Sequence, residues 1–243
     1  MRQSPPLKIP DFRFPPEIRV VIPAYNEEKS IGLVVQDIPG MVQEIIVVNN
    51  GSTDSTARRA TLAGATVLTE ERKGYGRACL TALEYISRNG LTPDIVVFLD
   101  GDYSDFPEEL PKLIIPILEE GMDMVVGARV SRWREKGAMT PPQRFGNRLA
   151  CTLMGVLFQS PFTDLGPFRA IRYDRLTGLG MQDLTYGWTI EMQLKALKKG
   201  YKCREVPVHY RNRIGTSKVS GTVKGATLAG VKILSWIFKY SLR

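Results

Sequence analysis

The sequence predicts an α/β fold with a single doubly wound, mostly parallel β-sheet flanked by helices. Short apolar runs alternate with helical patterns along the 243 residues, which is the rhythm of parallel strands joined by right-handed crossovers. Residues 95–99 are apolar without interruption, as expected of a strand that is buried on both faces. Polar clusters follow three of the predicted strands, at the edge where open α/β sheets bind ligands.

The first half of the chain is predicted to supply four strands and three helices. Residues 18–22 form the first strand, and residues 30–38 repeat apolar side chains at helical spacing. The helix at residues 52–64 begins at Ser52, whose hydroxyl can cap it, and ends at a glycine. The other elements are strands 45–48, 65–68 and 95–99 and helix 76–88.

The second half is predicted to add three strands and three helices. Residues 106–120 place five apolar side chains on one side of a helix, and Pro107 suits its first turn. Residues 129–142 are polar and basic and are interrupted by glycine and proline, which is typical of a loop. The other elements are strands 124–128, 166–171 and 201–208 and helices 143–158 and 188–199.

The chain divides into an arm, one domain and a terminal helix. Residues 1–17 are polar and proline-rich and predict an N-terminal arm. Residues 18–221 contain no internal repeat and no clear linker, and they predict a single domain. Residues 222–243 predict an amphipathic helix with Lys232 and Lys239 opposite an apolar stripe. Such a helix either lies in a membrane interface or packs against the sheet, and the sequence leaves both open.

Positive charge is concentrated towards the C-terminus. The net charge is +8, yet residues 195–243 contain eight lysines and four arginines against Glu205 alone. This surplus indicates an anionic partner, which could be a phospholipid, a lipid phosphate or a nucleic acid. A basic surface that contacts only solvent has the same composition.

The cysteines and the hydropathy pattern indicate the compartment. Cys79, Cys151 and Cys203 are odd in number and far apart, which fits a reducing compartment, and with the single His209 they show no zinc-ligand spacing. The sequence has neither a signal-peptide pattern nor an uncharged apolar run of about 18 residues. We therefore expect a cytoplasmic protein, with peripheral contact to the inner face of the membrane through the basic C-terminal segment.

Two carboxylates follow the strand predicted at residues 95–99. Asp100 and Asp102 are separated by one glycine, and hard oxygen ligands of this kind suit a partly hydrated Mg²⁺ or Mn²⁺ that also holds substrate phosphates. An acidic turn has the same composition, because Asp and Gly are common turn residues. The pattern alone leaves both interpretations open.

Six motifs in succession resemble those of one enzyme family. The first three are Val21-Ile22-Pro23-Ala24-Tyr25-Asn26-Glu27-Glu28, Asn50-Gly51-Ser52-Thr53-Asp54 and Asp100-Gly101-Asp102. The last three are Thr163-Asp164-Leu165-Gly166-Pro167-Phe168-Arg169, Gly187-Trp188-Thr189-Ile190-Glu191 and Arg211-Asn212-Arg213-Ile214-Gly215-Thr216-Ser217-Lys218. In this order they resemble family 2 glycosyltransferases of the GT-A fold, in the branch of dolichyl-phosphate mannose synthase and other polyprenyl-phosphate glycosyltransferases.

The resemblance implies that the first two turns hold the base and ribose of a nucleotide-sugar. The residues expected to do so are Pro23, Tyr25, Asn26, Glu27, Asn50, Ser52 and Asp54. Where the family usually has two aspartates, this chain has Asn49 and Asn50, whose amides both donate and accept hydrogen bonds. The base, uridine or guanosine, is therefore left open. A simple helix-start turn remains the alternative for residues 50–52.

Basic residues in three segments are candidates for binding the donor's phosphates. Lys73 and Gly76 precede a helix, where backbone N–H groups and a basic side chain can hold phosphate, although a plain glycine turn fits as well. Arg129 follows the fifth strand and could reach the diphosphate or the sugar, or it could lie on the surface. The candidates in the C-terminal loop are Arg211, Arg213 and Lys218. They could clasp an anion or simply face solvent.

On the acceptor side, the resemblance implies Asp164 and Glu191 as candidate acids. Glu191 could instead form a surface pair with Lys195, one helical turn away. Arg169 lies in an apolar segment where an unpaired charge is costly, so it should meet an acid or a phosphate, with Asp164 the nearest candidate. With Asp102, these residues form the expected catalytic set.

The implied reaction is an inverting, metal-dependent transfer of a hexosyl group from a UDP- or GDP-sugar to a polyprenyl phosphate. A phosphate monoester needs no general base, since its second pKa is about 6. That agrees with the absence of an obvious histidine or paired-acid base in the sequence. Alternatives are a soluble or lipid hydroxyl acceptor and, less favoured, a sugar-nucleotide nucleotidyltransferase. A basic protein binding nucleic acid or membrane would leave the three polar strand ends unexplained, and no nucleic acid partner is expected.

Overall fold

A seven-stranded sheet forms the centre of the protein. The structure is a computed structural model that describes residues 15–215 and 223–241. The strands are β1 Ile18–Ala24, β2 Glu44–Asn49, β3 Thr66–Thr69, β4 Ile95–Phe98, β5 Met124–Ala128, β6 Arg169–Arg172 and β7 Cys203–Pro207. Their spatial order is β3-β2-β1-β4-β6-β5-β7, and only β6 runs antiparallel to its neighbours in this sheet. The prediction of a mostly parallel sheet is confirmed.

Helices cover both faces of this sheet. They are α1 Ile31–Gln36, α2 Thr56–Leu62, α3 Tyr75–Arg88, α4 Leu110–Glu119, α5 Pro141–Phe158, α6 Tyr173–Leu179, α7 Trp188–Lys198 and α8 Val223–Ser241. Side chains of α8 are described from residue 230 onward. The predicted helix at residues 106–120 is divided into a 3₁₀ turn, Pro107–Glu109, and α4. Helix α6 was not predicted, because it is short and begins directly after β6.

Successive residues of the central strands face two separate hydrophobic clusters. Val96 and Phe98 of β4 pack into the cluster with α3, α5, α6, α7 and α8, while Ile95 and Val97 pack into the cluster with α1, α2 and α4. The Phe98 ring meets the Trp188 ring edge-on, with centroids 5.8 Å apart. Burial on both faces explains why this strand is an uninterrupted apolar run.

The strand register brings the three polar turns to one edge. Ala24 at the end of β1 pairs with Asn49 at the end of β2, and Val21 pairs with Phe98 near the end of β4. Because these strands are parallel, the turns that follow them leave the sheet on the same side. The convergence expected from the sequence is therefore present.

The terminal helix α8 packs on the domain with one face and exposes the other. Trp236 and Ile237 are buried in the cluster of α3, α5 and α7, whereas Val231 and Phe238 are 61% and 51% exposed. In the described part of the chain, no helix is both long enough and apolar enough to cross a membrane. Most of the predicted N-terminal arm, residues 1–14, and the candidate Lys218 lie outside the described residues.

Truncating the buried ring beneath the strand ends should destabilise the fold strongly. We expect Phe98→Ala to lower the free energy of unfolding by about 3–5 kcal/mol, because a fully buried phenyl leaves a cavity. Phe145→Ala, at a side chain that is 71% exposed, should change it by less than about 0.5 kcal/mol. Urea unfolding measures the loss of stability in each variant. Equal losses would contradict the burial of Phe98 in the core and the exposure of Phe145.

Candidate active site

A cavity of about 560 Å³ opens at the carboxyl ends of β1, β2 and β4. It brings together residues that are distant in the sequence, including nine that sequence reasoning selected. These nine are Pro23, Tyr25, Glu27, Asn50, Lys73, Asp100, Asp102, Arg129 and Arg213. The cavity therefore joins the acids after β4 to cations from three separate loops.

The two acids after β4 lie at the cavity with little exposure to solvent. Asp102 is 2% exposed; its Oδ1 accepts hydrogen bonds from Ser104 N (2.9 Å) and Ser104 Oγ (2.5 Å), and its Oδ2 forms an ion pair with Arg213. Oδ1 of Asp100 is buried without a hydrogen bond of normal geometry. Burial raises the pKa of Asp100, and Arg213 and the Tyr75 hydroxyl oppose that effect.

These carboxylates fit a divalent cation that shares its coordination with a ligand. A buried carboxylate oxygen without a hydrogen bond, as in Asp100, is the kind of atom that a hard cation takes up. Among residues 15–215 and 223–241, no group of three or more His, Cys, Asp or Glu side chains could hold a metal. Asp100 and Asp102 would therefore supply two ligands, and phosphate oxygens and water the others.

The segment after β7 holds the acidic turn in place. The Arg211 guanidinium donates to the carbonyls of Tyr103 (2.8 Å) and Asp105 (3.1 Å), and its Cζ lies 3.5 Å from the Tyr103 ring centroid. Ile214 N also donates to Asp102 O at 3.0 Å. Arg211 thus binds the turn and does not line the cavity, so its position does not support the predicted contact with an anion. Arg213, two residues on, does reach the site.

Asp105 is a buried acid that the sequence did not single out. It is 1% exposed, and neither carboxylate oxygen has a hydrogen-bond partner of normal geometry among the described residues. Burial, together with the charge of Asp100, raises the pKa of Asp105 to about 8. The fold therefore holds a carboxyl group that is uncharged over much of the neutral range.

Three residues predicted to bind the nucleotide instead connect the first two turns. Asn26 N donates to Ser52 Oγ (3.0 Å), Asn26 Oδ1 accepts from Thr53 N (2.8 Å), and Glu28 N donates to Asp54 Oδ2 (3.2 Å). Asn26, Ser52 and Asp54 are not among the lining residues of the cavity. Ser52 does not cap α2 either, because that helix begins at Thr56.

Asn50 lines the cavity, but its amide is fully used within the protein. Nδ2 donates to Glu70 O (3.0 Å) and Arg72 O (2.9 Å), and Oδ1 accepts from Gly74 N (2.7 Å). Both donor hydrogens and the acceptor thus hold the loop at residues 70–74. These bonds leave the amide no donor hydrogen for a base edge, and they explain why an amide stands where a carboxylate would face two carbonyls.

The start of α3 is closed to phosphate by another loop. Gly76 N and Arg77 N donate to the carbonyls of Thr185 (3.2 Å) and Leu184 (3.1 Å). A Cβ on Gly76 would lie 1.9 Å from Asp183 O, so glycine is needed for this close approach. Gly76 N is therefore used within the protein, and its contact with phosphate stays a prediction. Lys73 remains at the cavity, where Nζ donates to Tyr25 Oη at 2.7 Å.

Arg129 and Asp164 form a buried ion pair beside the acidic turn. Arg129 Nε and Nη2 donate to Oδ2 (2.8 Å) and Oδ1 (2.6 Å) of Asp164, and Arg129 N adds a third bond of 2.7 Å. Burial alone would raise the pKa of Asp164, but Arg129 lowers it below its ordinary value. Asp164 does not line the cavity, so its expected role as an acceptor-side acid is not supported by its position.

Arg169 and Glu191 are both buried and both bind backbone. The Arg169 guanidinium donates to the carbonyls of Thr189 (2.9 Å), Leu165 (3.3 Å) and Gly166, not to Asp164, and burial lowers its pKa to about 10.

Glu191 is fully buried; it accepts from the N–H groups of Gln182 (2.9 Å) and Asp183 (2.7 Å) and pairs with Lys195 at 2.6 Å. The predicted pair with Lys195 is thus present, but inside the protein and not at the surface. Neither Arg169 nor Glu191 lines the cavity, so their positions do not support their assignment to the catalytic set, which stays a prediction.

Comparison with known proteins identifies the family. The model of the family described as "Glycosyl transferase family 2" matches residues 19–179, which span the acidic turn and most of the sheet. The chain belongs to glycosyl transferase family 2. The identification from motifs is confirmed, and the protein is a glycosyltransferase.

Two curated relatives match most of this glycosyltransferase. It is 34% identical over 223 residues to the dolichyl-phosphate hexose transferase of Haloferax volcanii, covering 87% of this chain and 90% of the relative. It is also 34% identical over 215 residues to an uncharacterized glycosyltransferase of Mycobacterium tuberculosis, covering 87% and 94%.

Among solved structures, the glycosyltransferase resembles glucosyl-3-phosphoglycerate synthase from Mycobacterium tuberculosis in complex with Mn²⁺, uridine diphosphate and phosphoglyceric acid. The TM-score is 0.74 at 25% identity, covering 93% of this chain and 78% of that one. The GT-A fold expected from the motifs is confirmed.

Sequence reasoning missed an aromatic wall of the glycosyltransferase's cavity. This wall contains Tyr75 and Tyr186, and Tyr210, Thr189 and Gln143 also line the cavity. Tyr75 and Thr189 lie inside two of the segments selected from the sequence. The spacing of residues does not show which side chains at the start of a helix face a cavity. Tyr186 and Gln143 carry no sequence signal.

Replacing Asn50 by aspartate should loosen the loop at residues 70–74. In Asn50→Asp the carbonyls of Glu70 and Arg72 lose their donor, so we expect the free energy of unfolding to fall by about 1–3 kcal/mol in urea titrations. Asn49→Asp is the matched control: Asn49 Oδ1 only accepts, from Ser52 N at 3.3 Å, and a loss below about 0.5 kcal/mol is expected. Equal losses would contradict the assignment.

Because Asp105 is buried, the free energy of unfolding should fall as pH rises. Its pKa rises from 3.8 to about 8 on folding, so the folded state holds a proton that the unfolded state has released between these values. In metal-free buffer, Asp105→Asn should raise the melting temperature relative to wild type at pH 8 and above. The difference should shrink towards pH 4 and vanish below it. A difference that does not depend on pH would contradict the shifted titration.

Proposed function

We propose that this glycosyltransferase moves a hexosyl group from a UDP- or GDP-sugar to a polyprenyl phosphate, with Mg²⁺ or Mn²⁺ and with inversion at the anomeric carbon. The observation that carries the proposal is the pairing of two acids, the half-buried Asp100 and the buried Asp102, with three cationic side chains around one cavity. Lys73, Arg129 and Arg213 give that cavity the charge needed for a diphosphate. The high similarity to a relative named dolichyl-phosphate hexose transferase supports the acceptor class.

The donor's diphosphate would lie between the acids and these cations. Asp100 and Asp102 would hold the divalent cation, which when bound supplies Lewis-acid stabilisation of the departing nucleoside diphosphate. Arg213 contacts Asp102 and is 30% exposed in its side chain, so it can also reach an anion at the cavity mouth. Tyr25 lies at a turn expected to hold the nucleoside, and Lys73, a candidate for the phosphates, donates to its hydroxyl. Solved complexes of a similar protein with Mn²⁺ and uridine diphosphate support this arrangement.

A phosphate acceptor is supported by how the candidate bases are used. Asp164 is held by Arg129, and Glu191 by two backbone N–H groups and Lys195. His209, the single histidine of the sequence, lies 2.5 Å from Glu109 through Nδ1 and stacks on Trp133. None of the three lines the cavity. A phosphate monoester acceptor attacks without such a base, since it is mostly dianionic near neutral pH.

The lipid part of the acceptor would approach along helix α5. The first turn of this helix lies beside the cavity at Gln143. Phe145, Leu149 and Val156 form an exposed apolar stripe on it, with exposures of 71%, 38% and 76%. Arg144 and Arg148 are exposed next to the stripe. An apolar face bordered by cations suits an anionic membrane surface, which supports peripheral membrane association at the cytoplasmic side.

A soluble phosphorylated acceptor is the second candidate. Solved structures of the similar glucosyl-3-phosphoglycerate synthase contain phosphoglyceric acid, an acceptor that is anionic but carries no lipid. The same cations would serve both kinds of acceptor, while the apolar stripe of α5 would serve only the first.

A transfer assay with matched acceptors tests the proposal. UDP- and GDP-hexoses are incubated with Mg²⁺ or Mn²⁺ and with dolichyl phosphate, dolichol or 3-phosphoglycerate, and products are identified by mass spectrometry. We expect transfer to dolichyl phosphate and none to dolichol. Asp102→Asn should lower the rate by a factor of about 100 or more, because one cation ligand is lost. Asp174→Asn, an exposed acid paired with Arg172, should leave the rate unchanged.

The other outcomes of the assay would change the acceptor or contradict the proposal. Transfer to 3-phosphoglycerate alone would replace the lipid acceptor by the second candidate. Transfer to dolichol but not to dolichyl phosphate would contradict the phosphate acceptor. Failure of every nucleotide-sugar to react, or full activity of Asp102→Asn, would contradict the proposal as a whole.

A further inference from the structure

A buried carboxylate joins the C-terminal helix to the loop between α6 and α7. Asp183, 3% exposed, lies in this loop at residues 181–187. Its Oδ1 accepts from Thr185 N (2.7 Å) and Gly187 N (3.0 Å). Its Oδ2 accepts from the indole Nε1 of Trp236 (2.8 Å) and pairs with Lys232 Nζ (2.9 Å), both on α8. The Thr185 hydroxyl also donates to Oδ1 (3.3 Å), so Oδ1 has three donors and Oδ2 has two.

These contacts favour the charged form of Asp183. Burial alone would raise its pKa, but hydrogen bonds from Lys232, Thr185 N and Trp236 outweigh burial and lower it. A buried carboxylate that loses such donors is strongly destabilised, so the contact with α8 constrains the geometry of the 181–187 loop. Glu191 fixes the same loop from the other side through the N–H groups of Gln182 and Asp183.

The 181–187 loop in turn fixes the start of α3. Its carbonyls at Leu184 and Thr185 accept from Arg77 N and Gly76 N, two of the helix-terminal N–H groups that have no partner within the helix. The fit is close: a Cβ on Gly74 would lie 2.1 Å from Leu184 O. Any shift of the loop therefore shifts the residues at this helix start.

The helix start and the loop together form the aromatic wall of the cavity. Tyr75 and Gly74 from the helix start, and Tyr186 from the loop, all line it. The Tyr75 hydroxyl is close enough to Asp100 to influence its pKa. A continuous set of contacts therefore runs from α8 through Asp183 to the start of α3, where Tyr75 lines the same cavity as Asp100. The 181–187 loop and α8 both lie beyond residue 179, where the family match ends.

We propose that Asp183, held by Lys232 and Trp236, is a positioning residue through which the C-terminal helix sets the wall of the donor site. The inference rests on the proposed function only in taking a nucleoside diphosphate as the ligand of that wall. Helix α8 is then a part of the donor site, although its described side chains do not line the cavity.

Two substitutions remove the donors to Asp183 while keeping most of the packing. Trp236→Phe removes the indole N–H, and Lys232→Met keeps the aliphatic stem without the charge. In the double variant we expect the dissociation constant for UDP or GDP with Mn²⁺, measured by calorimetry, to rise about tenfold, since small displacements of binding groups are costly. Lys232→Arg should restore affinity in the Trp236→Phe background. Ser235→Ala, exposed on the same helix, is the control and should bind as wild type does.

A second readout does not depend on the nucleotide. Amide hydrogen exchange at residues 74–78 should accelerate in the double variant well below its melting temperature, while exchange in β1 and β4 stays at the wild-type rate. A lower melting temperature with unchanged nucleotide affinity and unchanged exchange at residues 74–78 would show a merely stabilising contact and overturn the inference. If wild type binds neither UDP nor GDP, the donor assignment fails, and the exchange rates alone decide the role of Asp183.

Discussion

The structure depends on how the acidic side chains just after β4 tolerate their burial. Each of them must either keep its charge beside a cation or keep its proton. Asp100, Asp102 and Asp105 lie within six residues of one another, and Asp102 and Asp105 are almost completely shielded from water. Carboxylates in such a place must be matched by cations or lose their charge. Arg213 matches Asp102 directly, whereas Asp105 has no such partner and its pKa rises to about 8. The turn can persist only because the surrounding segments hold it by its backbone.

That backbone support explains why so many polar residues near the site do not line it. Arg211 binds the carbonyls of the acidic turn, Asn50 binds those of the 70–74 loop, and Arg169 binds those of residues 165–166. Each satisfies carbonyl groups that an irregular chain segment would otherwise bury without partners. A cavity formed from the turns after β1, β2 and β4 and from neighbouring loops needs these side chains, because turns cannot pair their own backbone as strands do.

Strands and the turns that follow them could be predicted from the sequence, whereas the side chains that bind the backbone of those turns could not. Strands such as β4 were predictable, since burial on both faces leaves a continuous apolar run, and the parallel arrangement then placed three polar turns at one edge. The acids of the site followed from that placement. The partners of Asn50 and Gly76 did not follow, because they lie 20 or more residues away, at Glu70 and at the 181–187 loop, and no local pattern encodes such a meeting. Arg169 shows the limit clearly: its place in an apolar segment predicts a partner, but not that the partners are carbonyls.

The two sides of the cavity are therefore built with different rigidity. The turns after β1, β2 and β4 follow strands whose register is fixed by several consecutive pairs. These turns cannot shift without a slip that would exchange the side chains packed into the two hydrophobic clusters. The aromatic wall has no such restraint, because its residues come from a helix start and a loop that are joined by a few hydrogen bonds. Groups that must hold a diphosphate in one geometry belong on the first side. Groups that distinguish one sugar or base from another can lie on the second, where a change of side chain leaves the sheet intact. Tyr75 lies between Asp100 and the 181–187 loop. A change in the aromatic wall can therefore affect Asp100 through this residue.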